Sequence, residues 1–144
     1  MKLTQIQKIV ESYYNIKIDA KDRRAHFVHA RMIYFNLCKV FGDEMGLVEI
    51  GRSIGKDHST VYYMYNRLLN FLQIKDRQTL EDYTKLYNLC KKFNKNVRYD
   101  IRDHIKTINR LVYLEDTNKT LRVVNKNLRR ENDIMNLKLK LVKN

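Results

Sequence analysis

Apolar residues recur along this chain at spacings of three and four, and no stretch alternates with a period of two between turn residues. The pattern therefore predicts helices throughout and no strand. Ile6, Val10 and Tyr13 or Tyr14 form a first stripe. Thr4 is its expected cap, with Gln7 completing a capping box. Residues 15–22 read as a polar connection from which Ile16 and Ile18 tuck inward. Phe27, Ala30, Tyr34, Leu37 and Phe41 then mark a second helix that stops at Gly42.

The four glycines, Gly42, Gly46, Gly51 and Gly55, fall within fourteen residues, and the chain has no proline. Helix can run unbroken everywhere else. Residues 47–66, LVEIGRSIGKDHSTVYYMYN, read as a helix-turn-helix inside that window. Gly51 lets the two helices approach, and Gly55 suits a left-handed turn. Ile50, Ile54, Val61 and Met64 are the expected buried contacts, with Leu68, Leu69 and Leu72 extending the second helix. Asp57, His58, Ser59, Tyr62, Tyr63 and Asn66 point elsewhere, where a base-reading surface would lie. Residues 1–72 thus form a small four-helix unit.

The second half carries a long periodic series: Leu80, Tyr83, Leu86, Cys90, Phe93, Val97, Ile101, Ile105, Ile108 and Val112. A cleaner heptad follows. Leu114, Leu121, Leu128 and Met135 are spaced by seven at d, and Leu111, Asn118, Asn125, Asn132 and Leu139 occupy a. Leucine at d with asparagine at a favours a parallel two-stranded coiled coil, because an Asn pair is satisfied across a dimer axis and poorly satisfied in other registers. The same stripe could pack a solitary helix back on the first unit; three Asn in one stripe favour the dimer. The expected organisation is 1–72 as the helix-turn-helix domain, 73–109 as a basic helical connector and 110–144 as a zipper-like coiled coil. Arg110 at g can reach Glu115 at e of a partner, whereas Arg122 and Arg129 at e have no acidic mates.

Charge changes the picture next. Twenty-nine Lys and Arg against 16 Asp and Glu give +13 over 144 residues, a field that favours polyanions, nucleic acid before an anionic membrane surface. The first 72 residues hold 11 basic and 7 acidic side chains and the remainder 18 and 9, so most of the excess lies beyond the helix-turn-helix. Cys38 and Cys90 lack metal or redox spacing and are expected as reduced core thiols. The charged start MKLTQIQKIVESYY is neither a signal peptide nor a membrane span, which points to the cytoplasm. His26, His29 and Cys38 lack the fourth ligand of a metal site. Consecutive Asp57, His58 and Ser59 cannot face one another as a catalytic triad. No enzyme, cofactor or metal is expected.

The stretch GKDHSTVYYMYNRL, together with IQKIVESYYNIKI, KDRRAHFVHAR and LVEIG, resembles the DNA-binding domain of the bacterial replication initiator DnaA, whose signature reads GRDHTTV; the resemblance spans residues 5–72. It implies double-stranded DNA as partner. Asp57, His58, Ser59 and Thr60 are implied at the major groove, Arg23 in the minor groove, and Arg31 near the DNA. Arg24, Lys56, Tyr62 and Tyr63 complete the expected DNA-facing set. Lys56 stands for the family's arginine, one of the preceding glycines is absent, Ser59 stands for a threonine, and Asp22 interrupts the basic segment. These departures imply a related but altered DNA site. The family's ATPase has no counterpart here, since no GxxxxGK[ST] loop occurs, and ATP-driven origin opening is not expected of this chain. The reading is thus a dimeric, sequence-specific duplex-DNA-binding protein, a transcriptional regulator or replication-associated factor of a bacterium or phage. The alternative is a DNA-tethered adaptor whose long helix recruits a replication or virion protein.

Overall fold

The computed structural model describes residues 1–94 and 100–143. Six helices run in order: α1 (Leu3–Tyr14), α2 (Ala25–Phe41), α3 (Leu47–Arg52), α4 (His58–Gln73), α5 (Arg77–Phe93) and α6 (Ile101–Lys143). No strand occurs among the described residues, as the three-and-four periodicity requires. Val97, one of the periodic apolar positions, lies outside them.

α2 is the centre of the fold, with α1, α3, α4 and α5 all packed against it. Its residues from Ala30 to Cys38 are buried without interruption, including the polar Arg31 and Asn36. A helix buried on every side needs apolar residues all round, and MIYF at positions 32–35 supplies them. Ile6 and Val10 of α1, Ile50 and Ile54 of the α3 region, and Val61, Leu68 and Leu72 of α4 close the core around it.

Several local expectations are corrected. α1 begins one residue before Thr4, and Lys2 is its cap residue. The Lys2 amide donates to Gln5 Oε1 at 3.1 Å, so Gln5 takes the role expected of Gln7. Gln7 instead donates to Glu11. Met64 is only half-buried, because the inward face of α4 follows Val61, Leu68 and Leu72, spaced by seven and four, and Met64 falls beside that line. Phe93, at the last turn of α5, is exposed.

The first compact unit runs from Met1 to Lys106. α5 is part of its core: it packs on α1, α2 and α4 and buries Tyr83, Leu86, Tyr87 and Cys90. Asp82 of α5 accepts hydrogen bonds from the Tyr13 and Tyr14 hydroxyls at 2.9 and 3.0 Å, and stands 3.2 Å from His29 Nε2. Burial by itself would raise the Asp82 carboxyl; bonds from Gln78, Tyr13, Tyr14 and His29 outweigh it and hold the group below the usual carboxylate range. The first turn of α6 adds His104, whose Nε2 lies 3.0 Å from the Tyr83 hydroxyl and whose ring stacks on Tyr87. The buried stripe of α5 is that of a core helix.

Cys38 and Cys90 are buried free thiols, each pushed up to about 12 by loss of solvent. The second unit, from Thr107 to the end, contains the remaining length of α6. From Tyr113 to Val142 every side chain is exposed except half-buried Thr117. No helix among the described residues is long and apolar enough to cross a membrane.

Candidate nucleic-acid interface

The turn between α3 and α4 is built on two glycines. A Cβ on Gly51 would stand 2.4 Å from the Lys56 carbonyl oxygen and 3.2 Å from the Asp57 carbonyl group, so the chain can double back there only with hydrogen at that position. The Gly51 carbonyl in turn accepts from the amides of Ile54 at 3.1 Å and Lys56 at 2.9 Å. Gly55 sits at φ +64°, in the left-handed region that favours glycine, with open space where a side chain would go. Ser53 ties this turn to the core. Its hydroxyl donates to the Ile50 carbonyl at 2.6 Å, which leaves the Tyr34 hydroxyl of α2 to donate to Ser53 Oγ at 2.7 Å.

α4 starts from Asp57, whose carboxylate accepts from the Thr60 amide at 2.6 Å and satisfies one of the open donors of the first turn. That bond, with a second from the Thr60 side chain, holds the Asp57 carboxyl below its ordinary range. With the Val61, Leu68 and Leu72 side directed inward, Ser59, Tyr62 and Tyr63 lie away from it and are exposed, the tyrosines by 61% and 60%; His58, the first residue of the helix, is exposed as well. The same face continues through half-buried Asn66 to exposed Asn70, spaced by four from Tyr62 onward. Asn70 was not singled out from the sequence, although the helical period by itself would have found it. Thr60 is half-buried and lies toward the flank of this face. Lys56 is half-buried in the turn.

The basic segment divides into three kinds of arginine. Arg31 is only 5% exposed, and its guanidinium donates to the carbonyls of Ile18 and Asp22, both at 2.6 Å, and of Ala20. Its donors therefore serve this loop. Glu11 completes the clasp by accepting from the Ile18 amide at 3.1 Å, so two buried charges of opposite sign hold the two peptide groups flanking one residue. Arg24 is exposed but folds back on Asp22 through a fork of two bonds at 2.9 and 2.6 Å, which brings the Asp22 carboxyl to about 2. Arg24 also lies over the Phe27 ring, 5.4 Å from its centroid. Arg23, just before Arg24, is exposed, and no ion pair engages it among the described residues. It lines a groove of about 680 Å³ together with Tyr14, His26, His29, Arg67 and Phe71, which sets it beside the later turns of α4. Sequence order alone does not distinguish these three arginines, because their roles depend on which carbonyls and carboxylates the loop turns toward them.

What results is a fixed, exposed polar and aromatic helix face, capped at its start, with the Arg23 guanidinium, free of ion pairs among the described residues, held nearby by a clasped loop. No group of three metal-ligating side chains occurs among the described residues.

Comparison with known proteins shows what this arrangement is similar to. Residues 3–68 match the family described as the bacterial dnaA protein helix-turn-helix. The chain is 36% identical over 92 residues to the chromosomal replication initiator protein DnaA of Buchnera aphidicola, a match covering 61% of this chain and 21% of that protein. It is 35% identical over 78 residues to the DnaA of Caldanaerobacter subterraneus, covering 52% and 17%, and 28% identical over 100 residues to that of Corynebacterium jeikeium, covering 67% and 16%. The chain thus spans about a fifth or less of the length of these relatives.

Proposed function

We propose that the chain, whose residues 3–68 match the bacterial dnaA protein helix-turn-helix, binds double-stranded DNA at a specific sequence, in a replication-associated or transcription-regulating role in a bacterium or a phage. The observation that carries this reading is the α4 face itself. His58, Ser59, Tyr62 and Tyr63 are exposed on a helix whose start is fixed by Asp57 and whose Val61, Leu68 and Leu72 line is buried. A helix so presented fits the major groove, and its first residues meet base edges. His58 and Ser59 carry hydrogen-bonding groups, Thr60 a methyl that suits a thymine, and the tyrosines apolar rings with polar tips. Arg23 suits a minor groove, where guanidinium insertion depends on charge and width. Arg31 acts one step back, by holding the loop that carries Arg23. The role is recognition without catalysis, and no cofactor is required.

The second part of the reading is a homodimer through α6. Leu114, Leu121, Leu128 and Met135 at d and Leu111, Asn118, Asn125, Asn132 and Leu139 at a are all exposed in the single chain, the apolar ones by 45% to 62%. Six apolar side chains in one stripe, interleaved with three Asn, fit a second copy in parallel register. Two linked domains would bind paired sites with higher avidity than one.

Selection of duplexes from a random pool by the full chain, followed by footprinting at physiological salt, tests the reading. The expected outcome is one enriched motif, lost in a His58→Ala, Thr60→Ala variant that still folds. Equal binding to unrelated duplexes overturns it. The adaptor alternative makes a different prediction for α6: the full chain stays monomeric and orders its last helix only on a partner protein.

A further inference from the structure

Residues 117–130 of α6, TNKTLRVVNKNLRR, contain five basic side chains and no acidic one. All five, Lys119, Arg122, Lys126, Arg129 and Arg130, are exposed. At helical spacing they fall on one side: Lys119 and Arg122 are three apart, Arg122 and Lys126 four, Lys126 and Arg129 three, Lys126 and Arg130 four. Each of these is a like-charge pair that disfavours the helix in isolation. Lys119 has Asp116 at 3.6 Å, and Asp133, four residues after Arg129, lines the same groove as Arg122, Lys126, Arg129 and Arg130, so one acid stands against four basic side chains there. The five charges extend over about 17 Å of helix, at 1.5 Å per residue.

Their position relative to the heptad is informative. None occupies a or d; Arg122 and Arg129 take e, Lys119 and Lys126 take b, and Arg130 takes f. In a parallel pair the e residues would face g residues of the partner, here Thr117 and Val124, neither of which is acidic. The charges at e therefore do nothing for pairing, and they remain available to a polyanion outside the seam.

We infer that this basic stripe, Lys119 to Arg130, is a second nucleic-acid contact, which lies along the phosphate backbone of duplex DNA independently of sequence. The inference rests on the duplex-DNA reading given above and adds a surface that the helix-turn-helix does not contain. Duplex DNA carries one charge per about 1.7 Å of axis, so a stripe of this length faces several phosphates. Neutralising them releases counterions and adds about 0.9 to the salt slope for each contact.

The test uses the full chain with Arg122, Lys126, Arg129 and Arg130 all changed to Gln, a good helix former outside the seam. Circular dichroism and sedimentation serve as controls. Binding to a random 40-base-pair duplex is measured between about 0.05 and 0.3 M salt. The slope of log K against log salt is expected to fall by up to about 4 per chain, with affinity at least about tenfold weaker at 0.1 M, while preference for the selected motif over random sequence is retained. An unchanged slope overturns the inference even if sequence preference is intact. Loss of sequence preference in the unaltered chain would instead overturn the helix-turn-helix reading, so the two failures are distinguishable. A second variant, Arg122→Lys, Arg129→Lys, Arg130→Lys, keeps the charge and is expected to keep the slope; a loss there means that shape rather than charge is read, and overturns the proposal. Tighter, stripe-dependent binding to single-stranded RNA, or to an acidic protein, than to the duplex also overturns it.

Discussion

Gly51 and Gly55 serve one turn for different reasons, and substitution separates them. At Gly51 an added methyl meets backbone, the Lys56 carbonyl at 2.4 Å, which cannot rotate away as a side chain can. Gly51→Ala is expected to cost about 2 to 3 kcal/mol through forced displacement of the α3–α4 turn, and to weaken DNA binding because the start of α4 moves. At Gly55 a methyl meets nothing within 4 Å, and only the positive φ opposes it. Gly55→Ala is expected to cost about 1 kcal/mol and to leave DNA affinity near its original value. Urea unfolding and duplex binding of the two variants check the contrast. Equal losses in both would mean that the turn is limited by backbone torsion alone.

α5 has its own polar latch. Asp82 is 4% exposed and accepts from two tyrosines and Gln78, with His29 also in reach, all on elements that must come together for α5 to dock. Asp82→Asn removes the charge and turns an amide donor toward a set of donors. It is expected to destabilise the first unit by about 2 to 3 kcal/mol in urea unfolding, the cost of breaking charged hydrogen bonds in a buried place. The sign of the pH dependence follows from the lowered carboxyl. A group whose native pKa lies below its unfolded value, about 3.9 for Asp, stabilises the fold above that value and loses the effect as pH falls through the native one. The stability gap between the native chain and Asp82→Asn is therefore expected to hold constant from about pH 5 to 7 and to shrink below about pH 4. A gap that widens with acid would contradict this account.

At the scale of the whole molecule, the Met1–Lys106 unit has a buried core of its own, whereas the helix beyond it carries an apolar stripe that its own chain leaves exposed. Sedimentation of the full chain is expected to give a dimer, and Leu121→Glu with Leu128→Glu a monomer of unchanged helix-turn-helix stability, since both positions lie outside the first unit. The monomeric variant should lose the avidity of paired sites but keep its sequence preference. A native chain that sediments as a monomer at micromolar concentration would remove the zipper from the reading.

The helix-turn-helix was legible in the sequence because its determinants are local: two glycines at fixed spacing, a capping Asp57, and apolar positions three, four and seven apart. The heptads of α6 were legible for the same reason, and so was the absence of strands, since periodicity is a property of neighbours along the chain. The polar anchoring of α5 and the roles of the arginines were not. The apolar series of α5 is visible in the sequence, but its polar anchor is not: Tyr13, Tyr14 and His29 converge on Asp82 from helices more than fifty residues away. Arg23, Arg24 and Arg31 are one basic cluster in the sequence. In the fold one is clasped on backbone carbonyls, one is paired with Asp22, and Arg23 alone of the three is left free of such partners among the described residues. A charge written in the sequence states what a residue can bind, whereas burial and the carbonyls around it decide what it does bind, and those exist only once the chain has closed on itself.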